Sequence, residues 1–176
     1  MLSFIQEDSL WARLKAEGKP VVLYGMGDGA GKILAACQKY GIPVHGIFVS
    51  DSHFREKTFA GFPLKRLSQL ENELGDFTVL LCFAAFQKEL LVQIEEIGRR
   101  HPLLAPDVPV CGEGLFDEDF LAAHEEELRE VHGRLADGFS RHVLENVLNF
   151  KLSGKPGYLR QAETPRDEVF QDLLSL

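Results

Sequence analysis

An apolar tetrapeptide, Val21-Val-Leu-Tyr24, runs directly into a glycine-rich turn, Gly25-Met-Gly-Asp-Gly-Ala-Gly-Lys32, and a helix-like stretch follows. Strand, turn and helix in that order make a nucleotide-binding βαβ unit, whose G-x-G-x-x-G/A spacing lets the chain reverse tightly and aim backbone N–H groups at a diphosphate. Gly25 and Gly27 take the first two places of the pattern, and Ala30 takes the third, where a small residue lets the helix pack closely. A Walker A loop is excluded. Met26 stands where that loop needs its first glycine, and Ile33 stands where it needs Ser or Thr after Gly31-Lys32. The glycines also suit a turn in a domain that binds nothing there. Asp28 sharpens this alternative, because its carboxylate sets negative charge at the helix start where a phosphate is expected.

Downstream, the pattern keeps alternating between strand and helix. It predicts strands over 21–24 and 44–49, a helix over 31–40, a weak strand over 62–64 and a helix reaching residue 74. The run 77–84, Phe-Thr-Val-Leu-Leu-Cys-Phe-Ala, is apolar enough for a central parallel strand covered on both faces, and it is expected beside the first strand. Phe86, Leu90, Ile94 and Ile97 recur at helical spacing, His101-Pro102 ends that helix, and 108–111 reads as a last short strand. The expected fold is a five-stranded parallel, three-layer Rossmann-like α/β domain over residues 1–115. Leu10, Trp11 and Leu14 add a short helix before the first strand, there for packing.

From residue 116 to 176 the strand signals stop. Phe120, His124, Leu128, Val131, Leu135, Phe139, Val143, Val147 and Phe150 recur every three or four residues, predicting one long helix or two in sequence. Such a stripe must bury itself on the sheet domain, another domain or a second copy of the chain, so a homodimer through 116–152 is one expectation. Asp117, Glu118, Asp119, Glu125, Glu126, Glu127 and Glu130 read as its solvated face. Residues 153–157 read as a linker, and Thr164-Pro-Arg-Asp167 as a helix start.

Composition narrows the function classes. A net charge of -8 argues against a nucleic-acid partner, which needs a basic face. Cys37, Cys82 and Cys111 are odd in number and lie in or beside apolar segments, so they read as reduced core residues. The acidic N-terminus, Met1-Leu-Ser-Phe-Ile-Gln-Glu-Asp, lacks the basic start and apolar core of a secretory signal, and no apolar run approaches membrane-spanning length. A cytoplasmic protein with no membrane partner is expected.

Asp51 follows the second predicted strand, about twenty residues after the turn, where a dinucleotide domain sets a carboxylate on a ribose diol. Its other reading is a solvated turn acid after Ser50, and Arg55 is a candidate partner for it or for a phosphate. The six histidines show neither H-E-x-x-H nor any i, i+4 pair, so no metal site is assigned. There is no G-x-S-x-G, and Cys82 sits inside an apolar run, so no catalytic nucleophile is assigned either. A hydride-transferring enzyme of the Tyr-x-x-x-Lys kind would need a lysine after Tyr158 at that spacing, and none is there. The candidate binding residues are Gly25, Gly27, Asp28, Ala30 and Asp51, with NAD(P) or a nucleotide sugar as ligand, near Gly25 and residues 84–86.

Three segments in order carry a family resemblance: Leu23-Tyr-Gly-Met-Gly-Asp-Gly-Ala30; Ser50-Asp-Ser-His-Phe-Arg55 with Phe59-Ala-Gly-Phe62; and Leu144-Glu-Asn-Val-Leu-Asn-Phe-Lys-Leu-Ser-Gly154. Together they resemble the N-terminal region of FkbM-type methyltransferases, and the resemblance covers nearly the whole chain. It implies a small Rossmann-like domain and a helical linker that precede a domain binding S-adenosylmethionine. The signature of that domain, a strand entering a turn such as Asp-x-Gly-Ala, does not follow the linker here. The chain is therefore expected to be a front half, with S-adenosylmethionine bound only by the missing part. The function expected is an accessory nucleotide- or substrate-recognition domain, not catalytic by itself. The alternatives are an NAD(P)-dependent nucleotide-sugar oxidoreductase-like domain and a degenerate Rossmann module used for dimerisation.

Overall fold

The computed structural model describes residues 2–112 and 114–163. In chain order the elements are α1 (Leu10–Glu17), β1 (Val21–Tyr24), α2 (Asp28–Tyr40), β2 (Val44–Phe48), β3 (Thr58–Phe59), β4 (Phe62–Lys65), α3 (Leu67–Leu74), β5 (Thr78–Leu81), α4 (Lys88–Arg100) and β6 (Leu103–Leu104). The helices α5 (Glu118–Ala123), α6 (Glu125–Arg134), α7 (Gly138–Ser153) and α8 (Gly157–Ala162) follow.

Four residues of β1 are buried without a break because the strand runs through the middle of the sheet, parallel to β2 on one side and β5 on the other. The sheet order is β3-β4-β2-β1-β5-β6, with every pairing parallel except β3 against β4. Side chains alternate along β1. Val21 and Leu23 join Leu14, Ile33 and Cys37 on the face that α1 and α2 cover, while Val22 and Tyr24 join Leu70, Phe77 and Ile97 on the face that α3 and α4 cover. The result is the Rossmann-like three-layer α/β arrangement. Its strand order reverses between β1 and β5, where the chain leaves for opposite faces of the sheet, and that divergence opens a crevice at the carboxyl ends of the strands.

The sheet differs from expectation at both edges. Residues 108–111 form no strand. The edge strand is Leu103–Leu104, placed where Val79 N–H donates to Pro102 O at 2.8 Å. At the other edge, β3 and β4 form a two-residue antiparallel ladder, giving six strands where five were expected. Phe86, expected on the buried stripe of α4, lies in the loop before that helix and is 88% exposed. Cys37 and Cys82 are buried free thiols, but Cys111 is exposed. No helix among the described residues is long and apolar enough to cross a membrane.

The C-terminal region is broken into short helices by its own caps. Asp117 accepts from the Phe120 N–H at 3.0 Å and opens α5, and Asp137 accepts from the Ser140 N–H at 2.7 Å and opens α7. Asp117 is therefore no part of a solvated face. It is 6% exposed, takes a 2.5 Å hydrogen bond from the Tyr40 hydroxyl on α2 and lies 3.6 Å from Lys39 Nζ. Burial pushes its carboxyl up, but the hydrogen bonds from Tyr40 and the Phe120 N–H, with the Lys39 charge, outweigh burial and hold it below its ordinary range. The same contact pushes the Tyr40 hydroxyl up, burial being the larger cause.

Helix α7 docks through polar groups as much as apolar ones. The buried Asn149 side chain donates to Phe4 O and Glu145 O, each at 2.8 Å, and accepts from the Gln6 N–H at 2.8 Å. Beyond it, Lys155 Nζ reaches both Glu7 oxygens at 2.6 and 2.8 Å, and the Tyr158 hydroxyl donates to Glu7 Oε1 at 2.7 Å. The expected linker is thus a fixed corner, with Ala105 N–H donating to Gly154 O at 2.7 Å. The helix start expected at Thr164 lies outside the described residues.

Candidate functional site

The glycine turn sits at the crevice between β1 and β5. Strand β1 ends at Tyr24, the Gly25 N–H donates to Phe48 O at 2.9 Å, and Gly25 adopts φ 122, a conformation closed to most side chains. A Cβ on Gly25 would also lie 2.9 Å from Phe83 Cδ1. Gly27 differs, because it is the N-cap of α2 with φ -90, and a Cβ there would meet nothing within 4 Å. Its carbonyl accepts from the Ala30 and Gly31 N–H groups at 3.0 and 3.2 Å, so the N–H groups at the start of α2 face outward without intrahelical partners. Such a helix start favours anions.

Two other residues of the turn refine the sequence reading. Ala30 is fully buried, as the third place of the fingerprint requires, but the closest helix-to-strand approach is at Gly29, where a Cβ would stand 2.3 Å from Cys82 O. Asp28 does not cap the helix. Its carboxylate is 83% exposed and pairs with Lys32 Nζ at 2.8 Å, and Lys32 also donates to Val110 O at 2.7 Å.

Beside the turn is an apolar slot of about 260 Å³. Met26, Val49, Phe83 and Leu90 wall it, and Ser50 and His53 stand on one edge. Its base is Tyr24, whose ring stacks on Phe48 at 4.6 Å, meets Phe83 edge-on at 4.9 Å and lies with its hydroxyl 2.5 Å from Ser50 Oγ. Burial pushes the Tyr24 hydroxyl up, so it stays protonated at neutral pH and keeps Ser50 in place. His53 Nδ1 lies 3.0 Å from Ser52 Oγ, which orients the ring at the slot's edge. The slot lies on the β2 side of the crevice, close to where sequence placed it, although Phe83 and Leu90 line it in place of residues 84–86.

Asp51 is not gathered into this slot. It lies in a 3-10 turn, Asp51–His53, three residues beyond β2, and lines a neighbouring groove of about 250 Å³ with Glu71, Gln93, Glu96 and Arg100. Slot and groove share Tyr24, Val49 and Ser50. The partner of Asp51 is Arg66, at 2.7 Å, whose guanidinium also lies 4.4 Å from the centroid of the Phe54 ring. Arg55, the partner considered from sequence, donates instead to Phe54 O at 2.6 Å. Arg66 carried no sequence signal, since it is brought to Asp51 by the return through β4.

These residues depart from the arrangement of a dinucleotide site. A dinucleotide lies across the crevice at the strand-order reversal, with one ribose diol on the acid after β2. Here the Phe83 ring stands in that crevice against Gly25, the acid is held by Arg66, and Asp28 adds negative charge beside the helix start. A larger cavity of about 550 Å³ lies away from the turn, between residues 2–9 and helices α5 and α7, and belongs to the seam of the C-terminal region.

No family profile matches the sequence, and no curated protein matches it. Two solved structures are similar to it to different degrees. The crystal structure of methyltransferase FkbM from Methylobacillus flagellatus KT superposes with a TM-score of 0.57 at 19% identity, covering 93% of this chain and 48% of that one. UDP-D-quinovosamine 4-dehydrogenase from Vibrio fischeri superposes with a TM-score of 0.40 at 24% identity, covering 61% of this chain and 85% of that one. The chain has an FkbM-like fold and spans about half the length of that methyltransferase.

Proposed function

We propose that this chain is an accessory recognition domain of an S-adenosylmethionine-dependent methyltransferase, and that its slot beside the glycine turn holds the base of a nucleotide or nucleotide sugar. The observation that carries the reading is the slot: an apolar, 260 Å³ space formed by Met26, Val49, Phe83 and Leu90, adjoining a helix start with outward N–H groups. A flat heterocycle buries apolar area there against an almost wholly apolar lining, and a phosphate reaches the first turn of α2. The methyltransferase half of the reading is supported by the shared fold and by the order of the three sequence segments.

Gly27→Val is the variant that tests the slot. A Cβ there meets no protein atom within 4 Å and φ is -90, so the turn is expected to accept the larger residue, which intrudes where a phosphate approaches; an unchanged melting temperature without ligand checks that the fold is kept. In a thermal-shift panel of NAD(H), NADP(H), UDP- and dTDP-sugars, coenzyme A and S-adenosylmethionine, a nucleotide present at a hundred times its dissociation constant stabilises by about 2.7 kcal/mol. A rise with one nucleotide class, lost in Gly27→Val, is expected. No rise with any compound would overturn the reading.

A further inference from the structure

Phe83 is the second residue after β5, and its position has consequences for ligand length. Cys82, just before it, turns toward the α2 face and is buried, with its own N–H donating to Tyr24 O at 3.0 Å. Phe83 turns to the opposite face, where its ring meets Tyr24 edge-on and sits so close to Gly25 that a single added Cβ would reach 2.9 Å. The ring therefore stands between the two diverging connections, at the place where a two-nucleotide ligand passes from one half of the sheet to the other. On its β2 side is the slot. We infer that Phe83 sets the ligand length at this site, admitting a mononucleotide and excluding a dinucleotide.

This inference rests on the proposal that the slot binds a nucleotide base. It is strengthened by Gly25, whose φ of 122 disfavours a side chain and where the Phe83 ring takes up the space a Cβ would need. The second nucleoside of a dinucleotide has to pass the strand-order reversal beyond Gly25, and the ring occupies that passage while the second glycine, Gly27, stays open to a phosphate. Truncating the ring removes the obstacle but also one wall of the slot, so both members of a matched pair weaken together and the ratio between them is the quantity that reports on ligand length. Phe83 is a specificity-determining residue by this account and takes no part in any chemical step.

Calorimetric titration compares ADP with NAD+ and UDP with diuridine diphosphate, so that base and phosphates are matched within each pair. Wild-type protein is expected to bind one mononucleotide at least about tenfold more tightly than its dinucleotide partner, the scale on which a steric difference in a pocket discriminates. Phe83→Ala should close that gap, and Phe83→Leu should narrow it and decide the matter if the alanine variant does not fold. Equal binding of both members of a pair by wild-type protein would overturn the inference and leave the proposed function standing. So would an unchanged gap in a Phe83 variant with an unaltered melting temperature. Failure of wild-type protein to bind either mononucleotide would overturn the proposed function, and this inference with it.

Discussion

The sheet domain and the C-terminal helices are held by different forces. In the sheet, all four residues of β1 are at most 2% exposed, and β5 and β2 supply Leu80, Val79, Ile47 and Phe48 at 1% or less. In the C-terminal region, α5 and α6 contain no buried residue, and α7 buries three polar residues, Asn146, Asn149 and Ser153, beside two leucines, Leu148 and Leu152. Apolar burial is non-directional and sums over area, so the sheet is sealed by many interchangeable contacts. Buried hydrogen bonds are directional and costly to leave unmade, so the helices are held by a few specific ties. The candidate slot belongs to the first kind of region, lined by residues at the ends of the sheet strands.

Deleting apolar volume from the sheet gives the largest expected effect. Leu80→Ala, at a fully buried position between β1 and β6, should cost about 2–5 kcal/mol in chemical denaturation. Gly29→Ala comes next, because the new methyl would stand 2.3 Å from a backbone oxygen of the strand exit and must push α2 away; about 1–3 kcal/mol is expected. Both changes should lower the protection of sheet amides from hydrogen exchange. Asn149→Ala should act on the other region. It leaves Phe4 O and the Gln6 N–H without their partner, at about 1–3 kcal/mol, and exchange should rise in residues 2–9 and 138–153 with the sheet unchanged. A rise in β1 and β5 as well would break the distinction between the regions.

Acid gives a smaller, sharper test. The folded Asp117 carboxyl lies below its ordinary 3.8 and that of Glu7 below its ordinary 4.5, for although burial pushes each up, hydrogen bonds and cations outweigh it. A depressed folded value contributes stability that is present above the ordinary value and lost as pH falls through the folded one. The helical ties should therefore loosen below about pH 4 before the sheet melts. Asp117→Asn should flatten that response, as read by the pH dependence of exchange at Tyr40 and Phe120. Last, Arg134→Ala removes an exposed pair with Glu130 and should change stability by no more than about 0.5 kcal/mol.

What was legible in the sequence follows the same division. The glycine turn, β1 and the neighbouring β5 could be read because their signals are local: an unbroken apolar run, then residues that only a turn explains. The last strand was misplaced. Val108-Pro109-Val110-Cys111 has the apolar pattern of a strand but contains a proline, which has no N–H to give a ladder, while Leu103–Leu104 is too short to register as a pattern. Asp117 was read as solvated because nothing near it in the chain shows that Tyr40 will stand beside it. Arg66 and Phe83 were missed for the same reason, since each acquires its place only when the strand order is set. The helical run was too regular to betray its breaks, which the capping aspartates impose at 117 and 137.

The measurement closest to the central claim is a titration of isotopically labelled protein with ADP and with UDP, followed by amide and methyl chemical shifts. The account predicts that one of them shifts Gly25, Met26, Val49, Ser50, His53 and Leu90 in a saturable way, with the amides of α5 to α8 unmoved. Shifts confined to the C-terminal helices, or none at millimolar nucleotide, would contradict it.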